Sequence, residues 1–183
     1  MHARLFALFD KDEAQTPEDA CAVADTLLEC NGFAGHSGLF SESPSDWYVI
    51  GGRWSGELVW AQLGYGRQEE FWKKAGQEGI DGIPFTEGEV HKKLRRIFRE
   101  MFPDYPAHKV EPVARDCHKT HPDDAMLLDE PLAKFLGELK RYPLETDDVH
   151  DGDAYVDLSE PWEEYKLQDM LGKKWLVVVD FHY

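Results

Sequence analysis

The chain has 183 residues, 42% of them hydrophobic, and a formal net charge of −16 from 36 acidic and 20 basic side chains. That composition fits a globular chain rather than a disordered one, its length suits one well-buried core, and its charge opposes contact with phosphate-rich polymers. The sequence has no run near the roughly 20 apolar residues of a membrane helix, no basic-then-apolar leader, and no C-x-x-C pair among Cys21, Cys30 and Cys117. It therefore predicts a cytoplasmic protein without disulfides.

Ala3 to Phe9 is apolar on nearly both faces and predicts a central strand. Thr16-Pro17-Glu18-Asp19 is a helix start, with Thr16 as cap, Pro17 at the first helical position and acids in the first turn. Cys21, Val23, Ala24, Leu27 and Leu28 then recur on one face, and Asn31-Gly32 closes the helix. Residues 35–45 read as a loop. Asp46 to Gly56, DWYVIGGRWSG, is the segment densest in special residues. Trp47 to Ile50 is aromatic and β-branched, a strand. Gly51-Gly52 breaks it, as a turn or as a place where another backbone or a ligand comes close. Arg53 follows between Trp47 and Trp54, so that its fork can face a carboxylate or phosphate while its plane stacks on an indole. Glu57 to Gln62 is expected to return as a strand through the double glycine.

The DWYVIGGRWSG segment resembles a cassette, D-W-Y-x-I-G-G-R-W-x-G, found in a family of bacterial and phage proteins that carries no assigned activity. Some members also close on an apolar strand ending in Asp, one residue and His, matched here by Val177 to His182. The likeness covers about the first sixty and the last ten residues. It implies a place to look, at Asp46, Gly51, Gly52, Arg53, Trp54 and His182, and no chemistry.

Arg67 to Ala75 predicts a short helix and residues 76–84 a loop. Residues 87–102 predict a stronger helix, with Val90, Leu94, Ile97, Phe98 and Met101 inward. Lys92, Lys93, Arg95, Arg96 and Arg99 cover the other face, either to hold a phosphate-bearing ligand or to be neutralised by the chain's own acids. His118 and His121, near Cys117, Asp123 and Asp124, form a fragment of a metal site without a second ligand cluster. Residues 131–139 predict a helix. The acidic loop 147–153, with His150, lacks the register of a calcium loop. Residues 162–171 predict a short helix, and Trp175 to Phe181 a buried strand antiparallel to the first or beside it.

The fold expected is α+β: a small mixed or antiparallel sheet, N-terminal β-α-β-β plus a C-terminal strand, in a single domain of residues 1–183. Its sheet core comes from about 1–63 and 173–183, with a helical insertion at about 67–171. The chain has no dinucleotide fingerprint, phosphate loop or nucleophile elbow, and no cofactor or metal is expected. The function expected is that of an acidic intracellular interaction protein. It would be an inhibitor, of phage or prophage origin, covering a basic nucleic-acid-binding groove of a host protein. Direct nucleic-acid binding and membrane association are not expected. One alternative is a ligand-binding protein or enzyme with an anion site at Arg53, using Asp46, Trp47, Gly51, Gly52, Trp54 and His182, with Asp180 also available for acid–base work. Another is a metal-dependent hydrolase using His118, His121, Asp123 or His150.

Overall fold

The computed structural model describes residues 2–30, 33, 47–80, 88–106, 111–113, 115–116, 118–138, 154–157 and 167–182. At its centre β1 (His2–Asp10) and β5 (Lys174–His182) run antiparallel, from His2 opposite His182 to Asp10 opposite Lys174. Both strands read as continuous apolar runs because both faces of the sheet are covered. On the far edge of β1 lies β4 (Ala154–Asp157), in parallel. The far edge of β5 is shared by two short antiparallel strands. β2 (Trp47–Ile50) takes His182 to Val179, and β3 (Ala125–Leu127) takes Val177 to Trp175. The sheet is mixed and the class is α+β, as the sequence predicts.

One face of the sheet, built from Leu5, Ala7, Phe9, Val177, Val179, Phe181, Tyr48 and Ile50, packs on α1 (Pro17–Cys30) through Ala20, Ala24 and Leu28. The α1 start is a reciprocal cap: Asp19 N–H donates to Thr16 Oγ1 and Thr16 N–H to Asp19 Oδ2, both at 3.1 Å. That arrangement satisfies two donors a bare helix end would leave open. The other face, with Phe6, Leu8, Leu176 and Val178, packs on α2 (Glu57–Leu63) and on α5 (Glu130–Glu138) through Leu132, Phe135 and Leu136. Trp60 of α2 also heads a third cluster, with Phe71 of α3 (Tyr65–Gln77) and Leu94, Ile97 and Phe98 of α4 (Glu89–Met101). Among the described residues no helix is long and apolar enough to cross a membrane.

Three expectations are corrected. Glu57 to Gln62 is helical, not the second arm of a hairpin. The double glycine does not reverse the chain onto itself, because β2 already has its partner in β5. The backbone instead leaves the sheet at Gly51, whose N–H donates to Val178 C=O at 2.8 Å. It tightens into a 3-10 turn over Gly52–Trp54 and restarts as α2 behind Gly56. Leu58, Val59, Trp60 and Ala61 are all buried since α2 sits between two clusters. A fully apolar run of that length has neither the period of a strand nor that of a helix. The second correction concerns the middle of the chain, read as helical. It also supplies β3 and β4, which complete the sheet. Residues 76 and 77 belong to α3 rather than to a loop. Asn31-Gly32, Thr86, the acidic loop 147–153 and Trp162 lie outside the described residues.

Candidate functional site

Gly51 and Gly52 rest on two buried carboxylates, Asp124 and Asp180, that lie far along the sequence from them. A Cβ on Gly51 would lie 2.2 Å from Asp124 Oδ2, and one on Gly52 would lie 2.4 Å from Asp180 Cβ. Both glycines also have positive φ, 73° and 53°. Only glycine meets the steric and the conformational demand together. Asp124, fully buried, accepts from Ser55 Oγ at 2.9 Å, from Gly56 N–H at 3.0 Å and from His121 N–H at 3.0 Å. The Arg115 guanidinium lies 3.6 Å away and donates to Asp123 at 2.8 Å and to Ser55 Oγ at 3.2 Å. Burial pushes the Asp124 carboxyl up from its ordinary range, against the pull of Arg115, the two backbone N–H groups and the Ser55 hydroxyl. This network fastens the cassette to the approach to β3.

Asp180 holds the other side of the turn. Its Oδ2 accepts the Arg53 backbone N–H at 3.0 Å, and its Oδ1 accepts from His2 Nδ1 at 2.8 Å. His2, His182 and Trp47 are opposite one another on three adjacent strands. Their side chains share one face, so His182 stacks on Trp47 with ring centroids 4.9 Å apart. The His2 ring meets both edge-on at 5.0 and 5.1 Å. One row inward, Arg4 pairs with Glu57, which also accepts the Tyr65 hydroxyl at 2.5 Å, and the Arg4 guanidinium lies over the Trp54 ring at 5.3 Å. Burial, then the Glu57 charge, pushes the Tyr65 phenol up. The Arg53 side chain is exposed.

A separate concavity runs along the outer edge of β2. It is a groove of about 670 Å³ lined by Glu18, Cys21, Ala22, Asp25 and Glu29 of α1, by Tyr48, Val49 and Ile50, and by His118, Thr120, His121 and Pro122 at one end. Among the described residues no lysine or arginine lines it. Tyr48 is anchored beneath it, its hydroxyl donating to Asp25 C=O at 2.9 Å.

The structure thus brings Trp47, Gly51, Gly52, Arg53, Trp54 and His182 into one neighbourhood. Asp46 lies outside the described residues. The second half of the metal fragment does not assemble. Asp123 is taken by Arg115, His118 is exposed, and among the described residues no group of three or more potential ligands converges. Cys117 and His150 lie outside the described residues. Three of the five cations on the basic face of α4 are paired with acids: Lys92 meets Glu89, Arg96 meets Glu78 and Glu100, and Arg99 meets Glu111. Sequence reasoning missed His2 and Arg115. His2 is marked only by register, since it lies opposite His182, and nothing in the spacing of Arg115 announces its burial. No family model, curated protein or solved structure matches the chain.

Proposed function

We propose that the protein is an acidic binding module whose partner presents a basic, extended segment, of the kind that otherwise holds nucleic-acid phosphates, to the groove between α1 and β2. The groove itself carries the reading. Glu18, Asp25 and Glu29 are spaced at seven and four residues along α1 and so share one helical face. None of the three carboxylates has an ion pair among the described residues. Opposite them lies a strand edge. Among the described residues β2 pairs with β5 alone. Gly51 N–H bonds Val178 C=O and sets the parity of that ladder, so the N–H and C=O groups of Tyr48 and Ile50 point away from β5. Such an edge takes an added strand through its backbone, while alternate side chains of the guest decide specificity. Lysines or arginines on the guest would meet the α1 carboxylates. The net charge of −16 adds long-range attraction and a faster encounter.

The test uses a synthetic extended peptide of alternating lysine and valine. The triple variant E18Q/D25Q/E29Q should weaken its binding by at least about tenfold, as expected for loss of roughly 1.4 kcal/mol or more of interaction. A matched triple variant on α3 and α4, E69Q/E70Q/E100Q, removes the same charge elsewhere. Equal loss in the two variants would show that the charge acts without a site.

A further inference from the structure

A second site stands on the opposite face of β2. We infer that His2 and Arg53 bracket a binding site for a tetrahedral oxyanion, of the phosphate monoester class. Among the described residues, six of the seven arginines are committed. Arg4, Arg67, Arg96, Arg99 and Arg115 have ion pairs, and Arg95 also has an interaction partner. Arg53 alone has an exposed guanidinium with no hydrogen bond, ion pair or ring contact among those residues. In a chain with 36 acids and 20 bases, an arginine without an acid among the described residues is the exception to the pairing its neighbours show.

The turn that carries Arg53 is fixed. Its backbone N–H and the His2 ring occupy the two oxygens of one carboxylate, Asp180, which is 2% exposed. Those two bonds tie the Arg53 backbone and the His2 imidazole to a single carboxylate. Gly52 allows Asp180 this position, since any side chain there would strike it. An ionised carboxylate only accepts, so His2 Nδ1 carries a hydrogen and Nε2 faces away from Asp180. His2 Nε2 makes no hydrogen bond among the described residues, and the side chain is 20% exposed. Against it pack Trp47 and His182, with Arg4 one row inward on its own strand. An arginine fork offers two parallel N–H donors to an oxyanion. The imidazole shares one proton with a third oxygen: a monoprotonated ligand gives its proton to Nε2, or a protonated ring gives it back. The same carboxylate therefore holds both partners in register, as orienting groups do for ligating histidines.

The experiment is titration of the isotopically labelled full chain with inorganic phosphate and with phenyl phosphate, reading the His2 ring resonances. Both ligands should produce a saturable shift. R53Q and H2Q, the latter followed by the phosphorus resonance, should each weaken binding at least tenfold. R67Q, which removes an exposed arginine elsewhere, should leave it within twofold. Binding of phenyl phosphate but not inorganic phosphate would assign recognition to the aromatic group and overturn the inference. So would the absence of saturation, or equal weakening by R53Q and R67Q. Intact amide spectra of each variant separate loss of the site from loss of the fold.

Discussion

At the scale of single residues, the double glycine is a packing requirement before it is a functional one. Gly51→Ala and Gly52→Ala should each destabilise by at least about 2 kcal/mol, since each combines a left-handed backbone with a collision against a buried aspartate. Gly76→Ala is the opposite case. It lies in α3 with nothing within 4 Å of the added carbon, and it should stabilise by roughly 0.5–1 kcal/mol. Denaturant midpoints of the three variants measure the contrast. The cysteines make a pH prediction. Burial, reinforced by the Asp124, Glu18 and Asp123 charges, pushes the Cys21 thiol up to about 12. A raised thiol pKa keeps the reactive thiolate absent below it. Cys30 is exposed. Up to pH 9 iodoacetamide should modify the exposed Cys30 and leave Cys21 untouched until the protein unfolds, as read by peptide mass mapping. The sequence showed that Gly51 and Gly52 were special but not why. The two carboxylates beneath them lie more than seventy residues away, and no local pattern links them.

At the scale of elements, local signals served where the chain decided its own structure. Thr16 and Asp19 cap α1 as their spacing implies, and the apolar stripe of α4 is the buried one. They misled where tertiary partners decided. Glu57 to Gln62 carries strand-forming Val59 and Trp60, yet glycines with positive φ at both ends and two cores to fill make it α2. β3 and β4 are too short to announce themselves and exist as additions to the edges of β5 and β1. The charged contacts also divide by element. Arg115, buried with Asp123 and Asp124, ties the cassette to the start of β3, whereas Arg96 sits half-exposed on α4. Arg115→Ala should cost about 3 kcal/mol by stranding two buried carboxylates, and Arg96→Ala far less despite its two partners, because water screens them. Thermal melts of both would check the ranking.

At the scale of the whole molecule, one arrangement accounts for both candidate sites. The first and last strands pair along their full length, and β2 adds to them, so the cassette meets the end of β5. The cassette and the closing Val-Asp-Phe-His are thereby one physical unit: Gly52 covers Asp180 and Trp47 stacks on His182. Both proposals draw on β2, with its aromatic side on the rim beside Arg53 and, among the described residues, its edge away from β5 along the acidic groove. The excess of acid, legible in composition, became specific only when α1 was seen to place three carboxylates beside that edge. The central claim is that a basic segment joins the sheet there. The most direct measurement is amide hydrogen exchange of the full chain with and without the alternating lysine–valine peptide. Strand addition predicts slower exchange at Tyr48 and Ile50, while Trp47 and Val49, already directed at β5, change little. Binding that leaves Tyr48 and Ile50 unprotected would contradict it.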